Sequence, residues 1–228
     1  MTGRTRRTGQ TGLAGLVAVL MAAGVSALSA QRTAHSAPQP APAAQTAVFS
    51  GGCFWGVQAV FEHVKGVIRA ESGYTGGKAG DADYETVSTG RTGHAESVRV
   101  EYDPSQVTYQ QLLDVFFSVA HDPTQLNRQG PDHGTQYRSA IWYTTPAQRS
   151  AAVDYIVRLN RGGKLSGPVV TTVKPLDHFY VAEEYHQDYY FTHPDSPYIV
   201  YNDVPKVEAL KRAFPGLWRE NAVLSRTT

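Results

Sequence analysis

One cysteine in a chain of 228 residues constrains this fold more than any other feature. Cys53 has no partner for a disulfide and cannot join a multi-cysteine metal site, so its thiol is either inert and buried or reactive. Its neighbours favour reactivity. Residues 46–49 read as a short apolar strand and Gly51-Gly52 permits a tight turn. Residues 53–64 then carry Phe54, Val57, Val60, Phe61 and Val64 at helical spacing. Cys53 is thereby expected in the first helical turn. There, unpaired backbone N–H groups and the helix dipole stabilise a thiolate and lower the thiol pKa from about 8.5 toward or below neutrality.

Residues 1–30 read as a segment apart from the fold. Arg4, Arg6 and Arg7 precede an apolar run over 13–28, followed by small residues. The pattern is that of a signal peptide or, if uncleaved, an N-terminal anchor, and it predicts an exported protein, periplasmic or extracellular. Residues 31–45 form an Ala/Pro-rich linker in which Pro38, Pro40 and Pro42 favour an extended spacer. The folded domain is expected over 46–218, with a C-terminal tail at 219–228. Net charge is +1, and three arginines lie in the leader, so the remainder is mildly acidic; this argues against nucleic acid as a partner.

Further strands are expected over 66–72, 95–102, 137–144 and 169–173, and further helices over 108–120, which Thr108 caps, and 146–160. The order predicts an α+β two-layer sandwich, a mixed sheet with packed helices. The glycine-rich loop 73–83 precedes no helix and fits neither a P-loop nor a dinucleotide fingerprint. Three segments concentrate acids, phenols and imidazoles: 84–96, 132–142 and 179–190. Glu96 opens an alternating strand. On its buried face the carboxyl would be desolvated and act as a general acid; on the other it is a solvated strand-end carboxylate. Tyr84 and Tyr137 could donate to a substrate oxygen, although thirteen tyrosines make packing the ordinary role of any one of them. His94, His133 and His186 read as supporting or surface residues rather than bases. Phe54 and Trp55 are either core or the walls of a small apolar pocket.

Five blocks carry a family resemblance: GCFWG at 52–56, GYTGG at 73–77, TGHAE at 92–96, DHGTQYRSAI at 132–141 and AEEYHQDY at 182–189. Together and in this order they resemble the A-type peptide methionine sulfoxide reductases, across about 47–190. The resemblance implies a ferredoxin-like core and reduction of methionine-S-sulfoxide, protein-bound and free, to methionine. Cys53 would be the nucleophile that becomes a sulfenic acid, and Glu96 would protonate the sulfoxide oxygen. Tyr84 and Tyr137 would bind that oxygen, Phe54 and Trp55 would receive the methyl group, and Asp132 would order the polar side. No metal or bound cofactor is implied. The chain departs from the many members that carry recycling cysteines, so an external thiol such as thioredoxin, glutaredoxin or glutathione is expected as reductant. The expected partners are oxidised proteins, free methionine sulfoxide and that thiol, with the enzyme a monomer. Two other readings remain: a cysteine-dependent hydrolase or acyltransferase that pairs Cys53 with a histidine, and a non-catalytic module that binds oxidised methionine or senses oxidants.

Overall fold

The computed structural model describes residues 43–226. The expected leader at 1–30, and the linker as far as residue 42, lie outside the described residues. Strand β1 (Gln45–Ser50) leads into helix α1 (Phe54–Glu62), followed by β2 (Val67–Thr75), the short helix α2 (Tyr84–Val87) and β3 (Ala95–Tyr102). Helix α3 (Tyr109–Val115) continues into a π-helical turn over Phe116–Ala120. A two-residue hairpin of β4 (Arg128–Gln129) and β5 (Asp132–His133) precedes β6 (Ala140–Tyr143), α4 (Pro146–Gly162), β7 (Thr172–Pro175), β8 (Phe179–Val181) and α5 (Tyr189–Thr192). A second π-helical turn, Ile199–Asp203, runs into α6 (Val204–Ala213).

The main sheet has the order β7-β6-β1-β3-β2-β8. β1 lies antiparallel to β3 and β6, and β3 antiparallel to β2. Taken as β1-α1-β2-β3-α3-β6, the centre is two interlocked split βαβ units, the ferredoxin-like arrangement. The parallel β6–β7 pair makes the sheet mixed. Strand alternation sorts the two faces. Ala47, Phe49, Val98, Val100 and Tyr102 join α1 and α3 in the main core, whereas Val48, Ala95, Ala140 and Trp142 form a smaller cluster behind the sheet. Phe49 anchors the main core, stacked on Phe61 at 5.2 Å and on Phe116 at 4.8 Å. A groove of about 840 Å³ lined by Gln45, Arg99, Gln148, Leu176 and Phe179 opens on the Val48 side, away from Cys53.

Several elements differ from expectation. β2 runs on through Gly73-Tyr74-Thr75 rather than ending before the glycine-rich loop. Gly73 pairs with Val181 of β8, and a Cβ there would overlap the Phe179 ring and the Tyr180 carbonyl. His94 bolts down the loop beyond: its Nδ1 accepts from the Gly77 N–H at 3.2 Å and its Nε2–H donates to the Lys78 carbonyl at 2.9 Å. That assigns His94 a structural role. α2, β8 and α6 are too short or too irregularly patterned to be predicted.

The C-terminal segment is not a separate tail. The Arg219 N–H donates to the His63 carbonyl and the Val223 N–H to the Glu62 carbonyl. The Ser225 and Arg226 N–H groups donate to the two carboxylate oxygens of Asp188 at 2.9 and 2.8 Å. These residues belong to the domain expected to end at 218. Asp188, left-handed at φ 54°, and Glu62 form a fully buried carboxyl pair that raises the Glu62 pKa well above the carboxylate range, desolvation first and Asp188 second.

Phe49→Ala should lower stability by about 3–5 kcal/mol, since its ring is fully enclosed by other aromatic rings that cannot collapse into the void. Chemical denaturation at matched m-value measures it.

Candidate active site

β1 ends at Ser50, and the chain reverses through Gly51 and Gly52 to set Cys53 at the N-cap of α1. Gly52 has φ +93°, and a Cβ on it would overlap the Gln129 side chain. Cys53 therefore sits one position before the first turn that the spacing suggested, with only 7% of its surface exposed. β3 places Glu96 on the face shared with Val98 and Val100, directly under this helix end. Its Oε2 accepts from the Phe54 N–H at 3.0 Å, so the carboxyl satisfies a backbone donor that the helix start leaves open. Glu96 is 2% exposed, and of its two possible placements the buried one holds. Desolvation, offset by the Phe54 N–H and reinforced by Asp132, pushes its pKa up to about 8.

The thiol behaves differently from expectation. Burial raises the Cys53 pKa well above the ordinary thiol value, and Glu96 and Asp203 add to the rise; the Trp55 N–H and Lys206 oppose it without prevailing. A helix N-terminus alone would have lowered it, but burial beneath the segment after β8 outweighs that field, with Asp203, and Glu96 once it ionises, adding to the rise. The resting pair is a neutral thiol beside a carboxyl that is protonated through most of the neutral range.

Around this pair the remaining expected residues converge. Burial raises the Tyr137 hydroxyl pKa, with further contributions from Glu96, Asp132, Cys53 and Tyr84, and Tyr84 is raised by burial, Glu96 and Cys53. Both phenols thus remain donors across the working pH range. Phe54 packs between the rings of Tyr74, at 5.7 Å, and His186, at 5.1 Å. Trp55 stacks face to face on Tyr189 at 3.8 Å and meets Tyr198 edge-on at 5.6 Å. Asp132 accepts a short hydrogen bond from the Tyr198 hydroxyl. His133, next to it, is exposed and stands apart.

His186, expected in a supporting or surface role, and its block neighbours Glu183 and Gln187, which were given no role, hold this wall. His186 Nδ1 accepts from Trp55 Nε1–H at 3.1 Å, which fixes the neutral tautomer with the proton on Nε2; burial lowers its pKa to about 4. Glu183 accepts from the Tyr74 hydroxyl and the Tyr84 N–H, both at 2.8 Å, and so seats α2 over the site. Gln187 spans β2 and the segment after β8 through Ser72 and Ala182. Tyr189, Tyr198, Asp203 and Lys206 lie beyond or at the edge of the recognisable blocks. Among the described residues no imidazole bonds the Cys53 sulfur, and no cluster of three or more His, Cys, Asp or Glu side chains is arranged to hold a metal ion.

The site thus holds a buried thiol at a helix start and a buried carboxyl on the next backbone N–H. A family model described as peptide methionine sulfoxide reductase matches residues 45–216. The chain belongs to this family. A peptide methionine sulfoxide reductase MsrA 2 from Mesorhizobium japonicum is 60% identical over 184 residues, 81% of this chain and 94% of the relative. An MsrA from Deinococcus radiodurans is 46% identical, covering 81% of this chain and 89% of its own. The fold is likewise similar to the solved methionine sulfoxide reductase A of Corynebacterium diphtheriae, with TM-score 0.59 and 37% identity over 69% of this chain and 77% of that one. It is also similar to reduced Mxr1 from Saccharomyces cerevisiae, with TM-score 0.61 and 31% identity over 67% and 87%. The chain is thus an oxidoreductase that reduces methionine sulfoxide in a protein-repair activity.

The raised Glu96 pKa carries a stability cost with a definite sign. The folded state binds this proton more tightly than the unfolded chain, whose carboxyl titrates near 4.3, so stability falls as pH rises from that value through about 8. Glu96→Gln keeps an acceptor for the Phe54 N–H and has no proton to lose. It should match wild-type stability near pH 4 and exceed it increasingly toward pH 8, by on the order of 5 kcal/mol, as denaturant titrations at several pH values would record.

Proposed function

We propose that the enzyme reduces the S epimer of methionine sulfoxide, free and protein-bound, through a Cys53 sulfenic acid that an external thiol returns to the thiol. The observation that carries this reading is the contact between the helix start that bears Cys53 and the protonated Glu96 carboxyl. A neutral sulfoxide is a poor electrophile until its oxygen gains a proton or strong donors. Glu96 supplies the proton and the Tyr84 and Tyr137 hydroxyls bind the same oxygen. As Cys53 attacks the sulfur, its own proton replaces the one Glu96 gives up. The oxygen passes to Cys53, which is oxidised to the sulfenic acid, and the substrate sulfur leaves reduced as a thioether.

The Trp55–Tyr189 stack, backed by Phe54 in the core, offers an apolar wall for the methyl group, and Asp132, held by Tyr198, would order the polar part of the substrate. Methyl group, oxygen and attacking sulfur then occupy three fixed directions about a stereogenic centre, which supports selection of one epimer. With Cys53 the only cysteine in the chain, no internal disulfide can form, and a dithiol protein or small thiol completes the cycle. The charged and apolar pattern of residues 1–30 supports action outside the cytosol, on proteins exposed to oxidants there.

Racemic substrate with excess dithiol tests the reading. Conversion should stop at one half, with only the S epimer consumed. Cys53→Ser should show less than about one per cent of wild-type turnover, and Glu96→Gln should slow the single-turnover reduction by roughly 10² to 10⁴-fold. Complete conversion, or a Gln variant at the wild-type rate, contradicts the assigned roles.

A further inference from the structure

Gly56, the last residue of the GCFWG block, has no side chain for a reason unrelated to the turn at Cys53. It lies in the first turn of α1, and a Cβ there would sit 2.6 Å from Asp203 Cγ and 3.0 Å from Lys206 Nζ. The missing side chain lets an ion pair press against the helix start. Asp203 is fully buried, the Lys206 side chain is 18% exposed, and Lys206 Nζ donates to Asp203 Oδ1 at 3.0 Å. Asp203 Oδ2 is buried with no partner. A pair this enclosed, with one oxygen unsatisfied, is a poor device for stability, because desolvating two charges costs as much as their attraction returns.

We propose that Lys206, fixed by Asp203 against the first turn of α1, is a positioning cation that stabilises the Cys53 sulfur as it leaves from a mixed disulfide with the external thiol. The proposal rests on Cys53 being the nucleophile. The recycling chemistry has two steps. A thiol attacks the Cys53 sulfenic acid, a sulfur–sulfur bond forms, and the oxygen leaves as water with the thiol's proton. A second thiolate then attacks the outer sulfur; the bond to Cys53 breaks, its electron pair stays on Cys53 Sγ, and the reductant departs oxidised as its disulfide. A leaving thiol departs faster the lower its pKa. In this second step no sulfoxide oxygen is present to draw on the Glu96 proton, and the developing negative charge meets the buried Asp203 carboxylate.

The groups facing Cys53 are Glu96 from β3, Asp203 from the Ile199–Asp203 turn, Lys206 from α6, and the phenols of Tyr84, Tyr137 and Tyr198. Of these Lys206 is the cation. Its charge also reaches Asp132 and His121, and it opposes the rise that burial and the carboxylates impose on the thiol. In the sulfoxide step a more basic thiolate is scarcer but more nucleophilic, so the two effects partly cancel. In the release step nothing compensates, and the cation has its greatest effect there.

The experiment treats wild type, Lys206→Met and Lys206→Arg with one equivalent of methionine-S-sulfoxide, then mixes the oxidised enzyme with dithiothreitol. It follows release of the Cys53 thiol and, separately, the pH dependence of Cys53 alkylation by iodoacetamide. Lys206→Met should shift the alkylation midpoint upward and slow thiol release by up to about tenfold for a one-unit rise. Lys206→Arg, which keeps the charge, should restore most of both. Wild-type release and an unshifted alkylation profile in a folded Lys206→Met variant would overturn the proposal, as would loss in Lys206→Arg equal to that in Lys206→Met, which would mark a packing role instead. Methionine formed by the wild type without oxidation of Cys53 would overturn the nucleophile assignment beneath it.

Discussion

The hydrogen bond from the Phe54 N–H to Glu96 joins two parts of the molecule that otherwise share only apolar packing. α1 must start where β1 ends, and β3 must run beside β1, so the first open donor of the helix arrives over the buried face of the neighbouring strand. A carboxyl placed there is desolvated by the core and retained by the helix start. Burial without that donor would leave an unpartnered acid; the donor without burial would leave an ordinary ionised carboxylate. Together they hold a proton beside a thiol at neutral pH. Much of the surrounding structure fixes this contact in place: His94 ties the glycine-rich loop to the start of β3, Glu183 seats Tyr84, and Asp188 binds the C-terminal strand of chain across the far end of α1.

The same geometry explains why the thiol is kept quiet. A permanently ionised cysteine would be open to oxidation without turnover. Here burial and two carboxyl groups disfavour the thiolate in the resting protein, and attack is favoured when a substrate oxygen accepts the Glu96 proton. Reactivity follows the substrate. The cost falls on stability, which declines with pH as the core is asked to hold a carboxyl that solvent would ionise.

Legibility in the sequence followed locality. Cys53, Phe54 and Trp55 are consecutive, and strand, glycine turn and helix period place them without reference to the rest of the chain. Glu96 was readable as one of two alternatives, because strand alternation says that one face is buried but not which. Tyr84 and Tyr137 were possible donors by residue type alone, and the family resemblance gave them and Asp132 their roles, since phenols and acids by themselves are too common to mark a site. The wall made by His186, Tyr189 and Tyr198, and the Asp203–Lys206 pair, depend on how the segment after β8 folds back over α1; its helices are short, its pattern irregular, and residues 191–218 matched no block. The thiol's direction of titration was misjudged for the same reason. The helix end that lowers it is local, whereas the burial that chiefly raises it, and the carboxyls of Glu96 and Asp203 from 43 and 150 residues away, depend on the whole fold.

Mass spectrometry of the oxidised enzyme tests the central claim most directly. One equivalent of methionine-S-sulfoxide, added without reductant, should yield one methionine per enzyme and one sulfenic acid on the peptide containing Cys53, read as one added oxygen or, when dimedone displaces that oxygen as water, as one thioether adduct. Methionine released while that peptide stays unmodified, or a monomer that has instead lost two hydrogens, would contradict it.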